Sequence, residues 1–148
     1  MIVVAASGYF DPLHKGHIEY LKKSKNLGDV LIVIVNNDDQ AKLKKGFSFM
    51  SVDERAEIIK SLKFVDDVVI ASDSDRTVCE SLRQLKPDIF AKGGDQNVGT
   101  IPEKKICDEH NIKIVDGLGD KIQSSRWLLK EVKKKLENVS EAYLNEGM

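Results

Sequence analysis

Apolar and polar positions follow two regimes along this chain. Unbroken apolar runs at 2–6 and 30–35 alternate with stretches where apolar residues recur every three or four positions. A run with no polar face predicts a parallel strand covered on both sides, and the longer periodicity predicts helices. The first helix is expected over about 17–27, with Ile18, Leu21 and Leu27 inward, Lys22, Lys23 and Lys25 outward, and Gly28 as C-terminal cap. Residues 36–39 read as a loop. A second helix opens at Ser51, with Glu54 completing a capping box and Val52, Ala56, Ile59 and Leu62 on its inner face.

The same alternation continues to the end. A third strand is expected over 65–71, a polar loop over 72–77, and a helix with Val78, Leu82 and Leu85 inward that breaks at Lys86-Pro87-Asp88. A short fourth strand follows at 89–91. Thr100-Ile101-Pro102-Glu103 has the order of a helix start, carrying that helix to about 111 with His110 at its end, before a fifth strand at 112–115 and a turn-rich loop at 116–120. The last helix starts at Ser124-Ser125, and Val132, Leu136, Val139 and Tyr143 keep its period, so residues 138–148 form either a tail or an oligomer contact. Strands alternating with helices predict an α/β fold with a five-stranded parallel sheet in a single domain.

Composition narrows the class. A chain of 148 residues suits one domain, and a formal net charge of −1 gives no reason to expect nucleic acid or an acidic membrane as partner. No run has the length of a membrane span and no leader pattern opens the chain, so a cytoplasmic protein is expected. Cys79 and Cys107 match no metal or redox spacing and read as reduced thiols. Charged residues make up 32% of the chain, a weak pointer to a heat-adapted source.

The chemistry concentrates at residues 7–17. A strand, a glycine-bearing turn and a helix start together form a phosphate site, because free N–H groups and the positive helix end share one crevice. His14 and His17 are three apart and fall on one face of a first helical turn, where two imidazoles can donate to phosphate oxygens that gain charge during displacement. Gly16 between them allows close backbone approach. No covalent nucleophile is required. The lysines of 41–46 read either as a solvated basic turn or as a mobile loop bringing Lys44 or Lys45 to a triphosphate.

In that setting, Gly8-Tyr9-Phe10-Asp11 followed by His14-Lys15-Gly16-His17 resembles the signature of the cytidylyltransferase-like nucleotidyltransferases, G-x-F-D-x-x-H-x-G-H. The resemblance implies a Rossmann-like three-layer domain that joins a nucleoside triphosphate to a phosphorylated acceptor and releases pyrophosphate. It implies catalytic roles for His14, His17 and Lys45, and nucleotide-binding roles for Gly8, Tyr9, Phe10, Asp11, Gly16, Arg55, Lys92, Gly93, Gly94, Asp95, Ser124 and Ser125. Gln123 stands where the family often has a serine, and Phe49-Met50 replaces an Arg-Pro pair of the related heptose enzymes. Mg²⁺ is expected on the substrate phosphates without dedicated protein ligands, with Asp11 reaching it through water.

Lys92-Gly93-Gly94-Asp95 is similar to the tetrad of adenylyltransferases that activate heptose 1-phosphate for lipopolysaccharide-core precursors. The expected substrates are therefore ATP and a heptose-like sugar 1-phosphate. CTP with glycerol 3-phosphate stands as the alternative, a flavin or pantetheine acceptor ranks lower, and a nucleotide-binding module without catalysis is the reading from another class. A homodimer is expected.

Overall fold

The computed structural model describes residues 1–94, 101–119 and 122–146. Five parallel strands, β1 (Val3–Gly8), β2 (Val30–Val35), β3 (Asp67–Ile70), β4 (Ile89–Gly93) and β5 (Lys113–Leu118), form one sheet in the order β3-β2-β1-β4-β5. The expected Rossmann-like α/β fold is present. Val4 and Ala6 of β1 face one apolar cluster with Leu31, Val33 and Val35, while Ala5 faces the other with Ile34 and Phe90. Both faces are thus dry, which is why β1 and β2 read as unbroken apolar runs.

Helices α1 (Lys15–Lys25) and α3 (Val52–Lys60) cover the first face through Tyr20, Leu21 and Ile59. Helices α4 (Cys79–Leu85) and α5 (Lys104–Glu109) cover the second through Leu82 and Cys107. Between them in sequence, α2 (Asp38–Lys45) lies past the carboxyl end of β2, and α6 (Ser125–Lys135) and α7 (Glu141–Asn145) close the chain.

Several expected boundaries move, each for a physical reason. The stretch left between loop and basic turn is α2: the Asn37 side chain accepts from the Gln40 N–H, the Gln40 side chain accepts from the Asn37 N–H, and Gly46 ends the helix at φ 87°. Helix α1 starts earlier than expected and ends at Asn26 in a right-handed conformation, so Gly28 is no left-handed cap. A Cβ at Gly28 would stand 2.8 Å from Ile2 and Val4 atoms, and this crowding against β1 is what requires glycine.

Strand β5 runs on through the expected loop to Leu118. It bulges against β4, where Ala91 pairs with Val115 but Gly93 pairs with Leu118, and Gly117 at φ 70° takes up the extra residue. The last helix breaks at a 3-10 turn, Leu136–Asn138, before α7. At the other side of the sheet, β3 starts late because the Asp66 carboxylate accepts from the Leu31 N–H and the Lys25 ammonium.

Candidate active site

β1 is the strand at which the connections change direction, β2 and β3 lying to one side and β4 and β5 to the other. The carboxyl ends of β1 and β4 therefore part, and ligands of open α/β sheets bind there. The β1–β4 ladder ends at Ala6 and Ala91. Beyond it the buried Tyr20 hydroxyl, reaching in from α1, accepts from the Ser7 N–H at 3.2 Å and donates to the Ala91 carbonyl at 2.6 Å. Tyr20 thus satisfies the groups that the parting leaves open. Nothing in the amphipathic pattern marks it as different from an ordinary core tyrosine.

Above this point lies a cavity of about 750 Å³. His14, Gly16 and His17 line it from α1, Tyr9 and Asp11 from the turn after β1, and Lys44 and Lys45 from α2. Gly93 and Gly94 come from the end of β4, and Ser124 and Ser125 from the start of α6. Residues 7–17, the α2 lysines and the two serines, far apart in sequence, are brought to one place. Lys92 is not part of the lining; its ammonium lies 5.3 Å from the Phe90 ring centre, pulled below the usual lysine range by burial. Asp95 lies outside the described residues.

The two imidazoles stack, ring centres 3.7 Å apart and planes at 20°. Phe10 meets His17 edge-on at 4.9 Å. Phe10, expected to bind nucleotide, lines the cavity while 2% exposed, is held at φ 50°, and a Cβ on Gly8 would stand 2.9 Å from its ring. Gly16 likewise has no room for a Cβ, the His14 ring atoms standing 3.1 Å from where it would be. His17 Nδ1 accepts from the His14 backbone N–H at 3.2 Å, so neutral His17 carries its proton on Nε2.

Burial, with help from His14 and Lys44, brings the His17 imidazole down to about 3, and burial lowers His14 in the same direction. The pair is neutral near pH 7. It can donate to an oxygen gaining negative charge without itself adding charge to the empty site.

The two lysines of α2 have different partners. Lys45 pairs with the Asp11 carboxylate at 2.7 Å and donates to the Asp11 carbonyl at 2.8 Å, so its charge is already met inside the protein. Lys44 makes no ion pair among the described residues, and its ammonium stands 4.3 Å from the Tyr9 ring centre. Both lysines line the cavity, Lys45 paired with Asp11 and Lys44 with no carboxylate partner among the described residues.

Asp11 and Arg55 are both buried beside the cavity. Asp11 is 1% exposed, and its two carboxylate oxygens accept from the Phe49 and Met50 N–H groups at 2.8 Å each. Lys45 adds a third partner, on the same oxygen as Phe49. Arg55 is 1% exposed and outside the cavity lining. Its guanidinium donates to the carbonyls of Tyr9, Asn36 and Met50 and to the Asp38 carboxylate. It ties the loops beside the cavity together.

Ser124 caps α6 by accepting from the Trp127 N–H, and the Ser125 hydroxyl donates to the Pro12 carbonyl, fastening α6 to the histidine turn. Gln123 takes the Ser124 N–H with its own side chain. Sequence reasoning did not pick out Arg126, Lys130 and Lys133, which line the same cavity from α6. They lie at i, i+4 and i+7, a spacing that places them on one helix face. Besides the paired Asp11, no described acidic residue lines the cavity, so its field favours a polyanion.

This geometry, two neutral imidazoles beneath a cationic crevice at a strand-to-helix turn, can hold a nucleotide's phosphates for displacement. The cytidylyltransferase-like family model matches residues 5–140. The chain belongs to that family. It is a nucleotidyltransferase. An FAD synthase from Pyrococcus abyssi is 43% identical over 106 residues, covering 70% of this chain and 71% of the relative. The bifunctional protein HldE of Syntrophotalea carbinolica is 38% identical over 122 residues, but this chain spans only 24% of its length. Among solved structures, a lipopolysaccharide core biosynthesis protein from Thermoplasma volcanium superposes with a TM-score of 0.70 at 34% identity, covering 82% of this chain and 99% of that one.

Two outcomes follow. Arg55→Met should destabilise the fold by about 3 kcal/mol in urea titration, since it leaves the carbonyls of Tyr9, Asn36 and Met50 without this donor; a loss below about 1 kcal/mol would show that the guanidinium is not structural. For His17, the unfolded imidazole takes a proton below about pH 6.5 and the folded one only near 3, so stability is intact above 6.5 and falls as pH drops through that window. Between pH 7.5 and 4.5 His17→Gln should therefore lose on the order of 2 kcal/mol less than the parent; equal losses would mean the ring is not held neutral.

Proposed function

We propose that this nucleotidyltransferase transfers an adenylyl group from ATP to a heptose-like sugar 1-phosphate. The observation that carries the reading is the stacked His14–His17 pair in a cavity that Lys44, Arg126 and the first residues of α6 also line. In-line displacement places the attacking and leaving anions on opposite sides of the α-phosphorus, and a cation-lined cavity around two hydrogen-bond donors suits it. A phosphate oxygen of the acceptor forms the new bond to phosphorus as the bond to the bridging oxygen breaks, and pyrophosphate leaves with that electron pair. His17 Nε2–H and the His14 ring donate to the α-phosphate oxygens as their charge grows. The remaining cations hold the flanking phosphates.

No group of three or more His, Cys, Asp or Glu that could hold a metal ion is found among the described residues, and the Asp11 carboxylate already has Lys45 and two backbone N–H groups as partners. A divalent ion would arrive on the substrate phosphates.

The base reading rests on the relatives: the name FAD synthase describes adenylation of FMN, and HldE carries the heptose 1-phosphate adenylyltransferase. The acceptor reading rests on the Lys92-Gly93-Gly94-Asp95 tetrad and on likeness to the lipopolysaccharide core protein. A second reading, FMN as acceptor, moves up from its low place in the sequence ranking because FAD synthases of Pyrococcus abyssi and Thermococcus sibiricus match at 43% and 45% identity over 70% and 75% of the chain.

A homodimer is the proposed working form, in the cytoplasm. Helix α6 buries no residue, and Val132, Leu136, Tyr143 and Leu144 of the carboxyl-terminal segment are each at least half exposed. No helix among the described residues is long and apolar enough to cross a membrane.

Pyrophosphate release should be measured with Mg²⁺, crossing ATP and CTP against heptose 1-phosphate, FMN and glycerol 3-phosphate. Release with ATP and the sugar phosphate is expected, and His17→Ala should lower turnover about a hundredfold or more while leaving the fold intact. ATP with FMN alone would move the protein to the second reading, and CTP with glycerol 3-phosphate would refute both. Light scattering on the purified chain should give twice the mass of one chain; a single-chain mass at assay concentration would remove the dimer.

A further inference from the structure

Tyr9 occupies the unspecified position of the G-x-F-D motif, so the motif chemistry does not account for it. Its place in the structure is fixed from both sides. The Tyr9 carbonyl accepts from the buried Arg55 guanidinium at 2.7 Å, and the next residue, Phe10, is locked into the core. The ring therefore stands at a set position on the cavity wall. Its hydroxyl is buried without an ordinary hydrogen bond, although the Arg76 guanidinium lies beside it, and burial raises the phenol so that it stays neutral. Over the ring face, 4.3 Å from its centre, stands the Lys44 ammonium.

Lys44 has every electrostatic reason to leave. Lys44 is exposed as a residue, yet desolvation beside the cavity wall pushes its ammonium below the usual lysine range, and Arg76, Lys45, Arg126 and Lys92 push in the same direction. No carboxylate among the described residues answers it. What opposes this repulsion is the negative face of an aromatic ring. A ring differs from a carboxylate in one respect that matters for binding: it attracts a cation without cancelling its charge. The neighbouring Lys45 shows the other case, its ammonium bound to Asp11 at 2.7 Å and its field largely neutralised.

We propose that Tyr9 is a positioning residue for nucleotidyl transfer: its ring face holds the Lys44 ammonium at the cavity wall, with its charge unneutralised, where a phosphate oxygen of the substrate will lie. The inference rests on the nucleotidyltransferase reading of the cavity and adds to it the device that keeps a lysine among four other cations in place before substrate arrives.

The test is a double-mutant cycle read by calorimetric titration with inorganic tripolyphosphate, which needs neither the acceptor nor turnover. Tyr9→Leu should weaken binding roughly three- to tenfold, and Tyr9→Phe, which keeps the ring, should restore affinity to within about twofold of the parent. In a Lys44→Met background the Tyr9→Leu change should have an effect within about twofold, because the ring then has no ammonium to hold. An equal loss in both backgrounds, or a failure of phenylalanine to restore binding, would overturn the inference, and tighter binding by Tyr9→Leu would show that the ring sequesters the amine instead.

If Tyr9→Leu does not fold, pentafluorophenylalanine at position 9 keeps the shape and removes the negative ring face. It should weaken binding relative to phenylalanine, and equal affinities would refute the proposal. Failure of the parent protein to bind tripolyphosphate would sink the phosphate reading of the cavity as a whole; binding without coupling would sink only the role of Tyr9.

Discussion

A guanidinium buried beneath the loops at the carboxyl edge of the sheet is the constraint on which the site depends. Arg55 contributes donors to Tyr9 from the end of β1, to Asn36 from the end of β2, to Met50 from the loop before its own helix, and to Asp38 at the first turn of α2. A planar fork with five N–H groups can serve several carbonyls at once, where a lysine would supply a single point charge. The cost of burying a charge is met by an ion pair with Asp38 at 2.8 Å and by hydrogen bonds on each side. Asp11, 4.0 Å away, extends the network to Lys45 and to the backbone of Phe49 and Met50. Three chain segments are thereby set in one arrangement.

The histidines depend on a different kind of restraint, made of rings and missing side chains. Phe10 in a left-handed conformation, a state costing about 1 kcal/mol or more for a non-glycine residue, places its ring under His17. Gly8 leaves room for that ring and Gly16 leaves room for the ring of His14. Close packing strips water from both imidazoles, and that same desolvation keeps them neutral. Donor geometry and protonation state thus have one cause.

Most of the fold was legible because burial on both sheet faces writes itself as unbroken apolar runs, and the histidine turn was legible because its residues act next to one another in sequence. Ser51 and Ser124 as caps were equally plain, each accepting from an N–H three residues on. Helix α2 was missed although Asn37 and Gln40 spell a capping box, because four consecutive Asn and Asp residues also spell a loop and the lysines beyond carry no apolar face. β5 was cut short because Gly117 signals a turn as readily as a bulge. Arg55 and the choice between Lys44 and Lys45 could not be read at all. Whether a charged residue is buried depends on carbonyls from segments up to 46 residues away, and nothing local encodes them.

The division between the two lysines shows how a small domain keeps a polyanion site stable when empty. Cations gathered for a triphosphate repel one another, and neutralising each with a carboxylate would remove the field that recruits the ligand. Here the inner lysine is neutralised by Asp11, and in return the loop at 46–50 gains a charged anchor. The outer lysine sits on an aromatic face and keeps its charge. One cation is thus paired inside the protein and its neighbour keeps its charge, adjacent in sequence and separated only by what each side chain meets. A site built in this way is cationic toward solvent while its interior charges are paired, and the arrangement suits an enzyme that must bind one highly charged substrate and release another.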